Sequence, residues 1–188
     1  GRGTRRPLGH TTINGQGQLS GTVHISERPA EAKDRAVPGH WEGDLLCGKA
    51  GTAMATLVER ATRFTILVAL PNGHTADVVT DALKERITTL PEQLRRSLTW
   101  DHGKEMAEHA RFTIETDLPI YFCDPRSPWQ RGTNENTNGL LRQYFPKRSD
   151  LSPFDQAALD QVAAELNGRP RQTLGWMSPS QALDQVLR

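Results

Sequence analysis

Three short apolar segments in close succession constrain this chain most. Trp41–Cys47, Ala53–Glu59 and Phe64–Leu70 are of strand length, and only the turn-like Gly48–Thr52 and Arg60–Arg63 separate them. That pattern predicts a three-stranded meander. Pro71-Asn72-Gly73 then breaks the chain, Thr75 offers an N-cap, and Val78, Val79, Ala82, Leu83 and Ile87 recur at helical spacing until Pro91. A strand is expected at Ser97–Trp100, a helix over about 105–115, and a strand at Ile120–Cys123 between Pro119 and Pro125. A meander followed by alternating helices and strands implies an α/β fold, a mixed five-stranded sheet flanked by helices.

Beyond the sheet, Ser127-Pro128-Trp129-Gln130 has capping-box spacing with proline at the first helical position, and Gly132 is expected to interrupt the helix it opens. The firm helix is expected from about Asn134 to Phe145, stopping at Pro146. Another should follow Ser152-Pro153, with Ala157, Leu159, Val162, Ala163 and Leu166 on its apolar face, and a short one should start near Ser178-Pro179. At 188 residues, one domain is expected. Residues 1–35, rich in Gly, Thr, Arg and Gln, read as a basic linker or arm in which Arg2, Arg5 and Arg6 are able to touch phosphates; residues 36–188 read as the core. A chain that begins at Gly1 rather than Met reads as a piece of something longer.

Charge enters through its distribution. The net charge of +1 gives no global pull toward nucleic acid, but residues 1–35 hold six basic and three acidic side chains, whereas residues 36–128 hold ten and thirteen. The acidic excess lies where metal ligands would be needed. Cys47 and Cys123 are too few and too far apart for a zinc motif or a disulfide framework, so packing is their expected role. No apolar run approaches the ~20 residues of a membrane helix, so no membrane partner and a cytoplasmic location are expected.

Asp44 falls inside the first strand of the meander, where a half-buried carboxylate is costly unless a cation offsets it. Asp101 ends the strand expected beside the first, and Gly103 lets the chain turn away. Glu135 lies in the first turn of its helix, with Asn138 and Arg142 three and seven positions later on the same face. Taken alone, Asp44 and Asp101 also fit turn formers, and Glu135 fits a charge favoured by the helix dipole. Residue types and spacing therefore reach as far as a possible metal-dependent phosphotransfer site.

His40-Trp41-Glu42-Gly43-Asp44, Thr99-Trp100-Asp101-His102-Gly103-Lys104-Glu105 and Pro128-Trp129-Gln130-Arg131-Gly132-Thr133-Asn134-Glu135-Asn136-Thr137-Asn138-Gly139-Leu140 resemble the three signature blocks of insertion sequence 30 family transposases. The likeness runs from about Pro29 to Leu183. It implies a ribonuclease H-like catalytic core of the integrase kind, with Asp44, Asp101 and Glu135 as catalytic triad and ligands of Mg²⁺ or Mn²⁺, in the manner of two-ion phosphotransfer centres. The 33 residues between Asp101 and Glu135 also resemble the family spacing. The implied activity is nicking at transposon ends and transfer of the freed 3′-hydroxyl to target DNA, by a homodimer or larger assembly. Family members carry an N-terminal helix-turn-helix region, and none is read before Pro29.

Arg142, Lys104, Lys147, Arg148, Trp129 and Arg131 are the expected DNA contacts, with Arg169 and Arg171 as optional ones. Trp41, Trp100 and Trp176 are expected mainly in the core. His40, His102 and His109 are expected as structural residues, because hard Mg²⁺ prefers oxygen, and His102 departs from the Asn expected in many relatives. A catalytically weak ribonuclease H-like DNA-binding or assembly module, and a plain nuclease without strand transfer, remain open beside the transposase reading.

Overall fold

The structure is a computed structural model that describes residues 19–188. Arg2, Arg5 and Arg6 lie outside the described residues. In chain order the strands are β1 (Val23–His24), β2 (His40–Cys47), β3 (Ala53–Glu59), β4 (Thr65–Ala69), β5 (Ser97–Trp100) and β6 (Ile120–Phe122). The helices are α1 (Glu31–Asp34), α2 (Ala76–Thr88), α3 (His109–Thr116), α4 (Gly132–Leu141), α5 (Gln156–Asn167) and α6 (Pro179–Val186).

The strands form one mixed sheet of order β1-β6-β5-β2-β3-β4. The meander is present: β2, β3 and β4 pair antiparallel, with Asp44 opposite Thr56. β5 then returns parallel to β2, and β6 parallel to β5. The sheet has six strands rather than the five expected. β1 joins parallel at the β6 edge, and a strand of two residues carries no periodicity for a sequence reading to find.

Both faces of the sheet are covered, so β3 is buried at every position. Trp41, Leu57, Leu98, Trp100 and Phe122 pack with Val79, Leu83, Ile87 and Phe112 of α2 and α3. On the other face Leu46, Met54 and Leu67 pack with Leu141, Phe145, Leu159 and Leu166 of α4, α5 and the segment between them. Strand period places each β2 side chain. Trp41, Gly43 and Leu45 look toward α2 and α3, while His40, Glu42, Asp44 and Leu46 look the other way, where α4 lies against β2 and β3.

Several boundaries differ from expectation for physical reasons. Gly132 begins α4 instead of interrupting it, after a single 3-10 turn over Pro128–Arg131. The capping box at Ser127 does not form. Gln130 is drawn to Asp124 instead, accepting its N–H at 2.7 Å and donating to its carboxylate at 2.8 Å, and Glu42 takes over the helix end. α4 stops at Leu141, and Gln143 and Tyr144 close shorter turns onto Leu140 and Leu141. The helix expected over about 105–115 divides into a 3-10 turn at Lys104–Met106 and α3. At Ser178 a full capping box with Gln181 forms, as the spacing requires. Residues 23–34 of the expected arm carry β1, one 3-10 turn and α1, and Arg28 and Ala32 are buried.

Candidate active site

Asp44 and Asp101 are brought together by the pairing of β2 with β5. The register sets Trp41 beside Leu98 and Glu42 beside Thr99, so Asp44, midway along β2, sits one strand over from Asp101, just past the carboxyl end of β5. Ligand sites of open α/β sheets form at such ends. The close approach depends on Gly43, because a Cβ there would lie 2.1 Å from the ring of the fully buried Trp100. Trp100 in turn donates its Nε1–H to Glu105 at 3.1 Å, which fixes the chain on the far side of Asp101.

One guanidinium joins the two aspartates. Arg131, buried in the last position of the 3-10 turn before α4, lies 3.1 Å from Asp44 and 3.2 Å from Asp101, and donates to the Gly43 carbonyl at 2.8 Å. Asn138 donates to the same Asp44 carboxylate at 3.3 Å, and the Leu45 N–H donates at 2.9 Å. Burial pushes the Asp44 pKa up, Arg131 opposes this, and the like charge of Asp101 adds to it. Arg131 itself loses by burial, but Asp44 and Asp101 carry its pKa above the ordinary value. The guanidinium is thus firmly cationic, while the Asp44 carboxylate remains short of compensating charge. A carboxylate in that state, with a second one across the strand pair, suits a hard cation.

Glu135 is exposed in the first turn of α4. It stands one turn before Asn138 on the stripe that continues to Arg142. Asn138 reaches Asp44, and Arg142 donates to the Cys47 carbonyl at 3.4 Å, so this stripe runs along the carboxyl end of β2. Among the described residues, however, no three His, Cys, Asp or Glu side chains are grouped to share one metal ion. The structure joins Asp44 to Asp101 through Arg131 and leaves Glu135 without a contact to either.

The remaining expected side chains fall into two sets. Lys104, Lys147 and Arg148 are exposed, as is Trp129 at 71 %. Trp41 and Trp100 are core, whereas Trp176 is exposed rather than packed. Arg169 pairs with Glu165 at 2.8 Å and contacts the Tyr144 hydroxyl, and Arg171 donates to the Leu166 carbonyl at 3.3 Å. The three histidines have protein partners: His40 bonds Ser97 and Glu31, His102 donates to the Cys123 carbonyl, and His109 to that of Met106. Cys123 is buried and its thiol is pushed up to about 11 by that burial, but Cys47 is exposed at the end of β2 and does not pack.

Sequence reasoning missed the groups that hold α4 in place. Glu42 is completely buried, pairs with Arg60 at 2.5 Å, and accepts the Asn134 N–H at 2.9 Å, capping α4 from the sheet. The Asn134 side chain donates to the Glu42 carbonyl at 3.0 Å and to Thr56. The available signal was parity, since Glu42 is two residues before Asp44 and shares its face of β2.

A family model described as the integrase core domain matches residues 34–128. Glu135 lies beyond that span. The chain is 51% identical over 173 residues to the transposase for insertion sequence element IS1086 of Cupriavidus metallidurans, covering 92% of this chain and 51% of that protein. It is 51% identical to transposase InsI for insertion sequence element IS30A of Escherichia coli, over 85% of this chain and 42% of the relative. The Bacteroides fragilis transposase for IS4351 is 35% identical, over 92% and 53% respectively. The chain spans about half the length of the curated relatives it matches. A chain of the simian T-cell lymphotropic virus intasome in complex with PP2A regulatory subunit B56 gamma, solved by cryo-EM, superposes with TM-score 0.61 at 20% identity, covering 78% of this chain and 54% of that one. That likeness shows the fold alone, and with the sheet order it makes this a ribonuclease H-like α/β core. The chain belongs to the integrase core domain family, on the side of its insertion sequence 30 type DDE transposases.

Proposed function

We propose that this chain is the catalytic core of a DDE transposase, which cuts DNA at transposon ends and transfers the freed 3′-hydroxyl to target DNA. The observation that supports the reading is the apposition of Asp44 on β2 and Asp101 just past β5, the neighbouring parallel strand, each in contact with Arg131. Asp44, Asp101 and Glu135 would hold Mg²⁺ or Mn²⁺, and the family to which the chain belongs is metal-dependent. Such ions, as a pair, would activate the attacking hydroxyl and stabilise the leaving oxygen.

The chain's own residues prepare that site. Asn138 and the Leu45 N–H orient Asp44, Gly43 and Trp100 set the spacing of the two strands, and Glu42 with Asn134 fixes the helix that carries Glu135. Lys104, Lys147, Arg148 and Trp129 offer charge and an aromatic face to DNA from the surface, and Arg142 does so from the α4 stripe. The core is residues 36–188, with 1–35 as an arm whose described part is docked on the sheet edge. Among the described residues no helix is long and apolar enough to cross a membrane. A homodimer or larger assembly, acting on two transposon ends together, completes the proposal.

One observation favours a second reading. With Arg131 between the aspartates, the site already holds a cation, as expected of a catalytically weak core that binds DNA or assembles without turnover. Nicking of transposon-end DNA in Mg²⁺ separates the two. Asp101→Asn should abolish nicking with little change in folding. A wild-type chain that binds such DNA without nicking it, or an Asp101→Asn variant that nicks normally, contradicts the catalytic reading.

A further inference from the structure

Three arginines meet on the α4 side of β2, and Arg35 is near enough for its charge to act on each of them. Arg60 pairs with Glu42, Arg28 donates to the Thr99 hydroxyl at 3.0 Å, and Arg63 donates to the Thr133 hydroxyl at 2.6 Å at the start of α4. Arg28 and Arg60 are 8% and 5% exposed, and the Nε–H of each is buried without a partner among the described residues. Arg63 is half-buried, and Arg35 is exposed. Arg35 and Arg63 both hold left-handed backbone, at φ 61° and 63°, which is costly for a side chain this long.

The charge balance is the core of the matter. Burial lowers the pKa of Arg28, Arg60 and Arg63, and the positive charge of Arg35 lowers each of them further. The opposing carboxylates are Glu42 and Glu59, and Glu59 is already engaged by the Gly39 N–H and by the Thr62 N–H and hydroxyl. Buried Arg28 and Arg60 face Glu42 and the engaged Glu59, and half-buried Arg63 and exposed Arg35 bring an excess of two positive charges on the outer side. Residues 1–18 contain no Asp or Glu, so they have no acidic side chain to offset it. Half-buried Arg63 and the partnerless Nε–H groups of Arg28 and Arg60 lack compensation, which is costly away from water, and an anion from outside the chain would supply it.

We propose that Arg28, Arg35, Arg60 and Arg63 form an anion site for one phosphate group, and that the phosphate belongs to the DNA strand lying across the aspartates. The inference deepens the reading of the chain as a DNA-acting core and rests on it. Glu42 is covered by α4, so the phosphate is met at Arg63, which contacts Thr133 in the same first turn of α4 that carries Glu135. A nucleic acid strand with a charge every ~3.4 Å of rise presents phosphates to both Arg63 and Glu135. Arg28 and Arg60 form the floor of the site, and Arg63 and Arg35 its mouth.

The test uses the whole chain without divalent metal, so turnover does not enter. Duplex DNA affinity is measured by fluorescence anisotropy across a salt series for wild type, Arg63→Gln, Arg35→Gln and the control Arg86→Gln on α2. Arg35 is exposed and Arg63 half-buried, and a melt verifies that both variants fold. Each should reduce the slope of log affinity against log salt by about 1, as loss of one phosphate contact requires, while Arg86→Gln should not. Inorganic phosphate, compared with chloride at equal ionic strength, should raise the wild-type Tm saturably and displace DNA, and both effects should vanish in Arg63→Gln. Phosphate that stabilises the chain without displacing DNA overturns the DNA assignment in favour of a free phosphate ligand. Unchanged salt slopes together with no phosphate effect overturn the site, while wild-type DNA binding and nicking keep the functional reading intact. Failure of the wild type to bind DNA at all overturns both.

Discussion

Replacing Glu42 by Ala tests how α4 is held over the sheet. The carboxylate is fully buried, contacts Arg60 at 2.5 Å and receives the Asn134 N–H at 2.9 Å. Its removal leaves a guanidinium that is 5% exposed without its charge partner, a change that typically costs about 3–5 kcal/mol. In a chain of this size each kcal/mol corresponds to about 2–4 °C, so the Tm should fall by about 6–20 °C. Glu42→Gln keeps the shape but only one acceptor oxygen, so its NH₂ meets a donor of either Arg60 or Asn134 and the charge is gone, and it should lose about 1.5–3 kcal/mol. The assay is urea unfolding of Glu42→Ala, Arg60→Met and the double variant, with amide exchange at Asn134. The double variant should lose clearly less than the two single losses together, because it buries no orphaned charge. Loss of stability below about 0.5 kcal/mol in Glu42→Ala, or simple additivity, would refute the reasoning.

Gly43→Ala drives a methyl to 2.1 Å from the Trp100 ring and 3.2 Å from Leu57. Overpacking of a filled core costs about 1–3 kcal/mol, which urea unfolding should show along with weaker nicking; an unchanged midpoint contradicts the packing argument. Trp129→Ala should leave the Tm unchanged, since the ring is 71% exposed, and should weaken single-strand DNA binding by about 1–3 kcal/mol if it stacks on a base; equal affinity removes it from the interface. Burial lowers the His40 pKa below the ordinary 6.5, with Glu31 opposing the shift. The unfolded chain therefore binds the extra proton first, and stability should decline as pH falls from about 6.5 toward the lowered folded pKa. In His40→Gln that part of the decline should be absent from urea midpoints taken across the window, and an identical profile contradicts it.

The meander, β5 and β6 were legible because their apolar runs are short, bounded by proline, glycine or charge, and buried on at least one face. β1 was not, because two residues have no period, and its place is set by the neighbouring edge of β6. The start of α4 was misread because the local cap at Ser127 competes with a tertiary one. Glu42, 92 residues away, caps the helix through Asn134, and no spacing rule reaches that far. Asp44 and Asp101 could be paired from sequence because strand order follows from the βαβ return of the chain. Arg131 was read as a DNA contact, yet its side chain turns inward to the aspartates, a direction set by the 3-10 turn rather than by residue type.

Catalysis by this chain requires that Asp44 and Asp101 take a divalent ion where Arg131 now lies. Anomalous diffraction from a crystal of the chain soaked in Mn²⁺ measures this directly. The predicted result is a manganese peak between the two carboxylates, with the Arg131 guanidinium moved out of contact and Glu135 turned toward the ion. A map with Arg131 still bridging both aspartates and no manganese within coordination distance of either would contradict it.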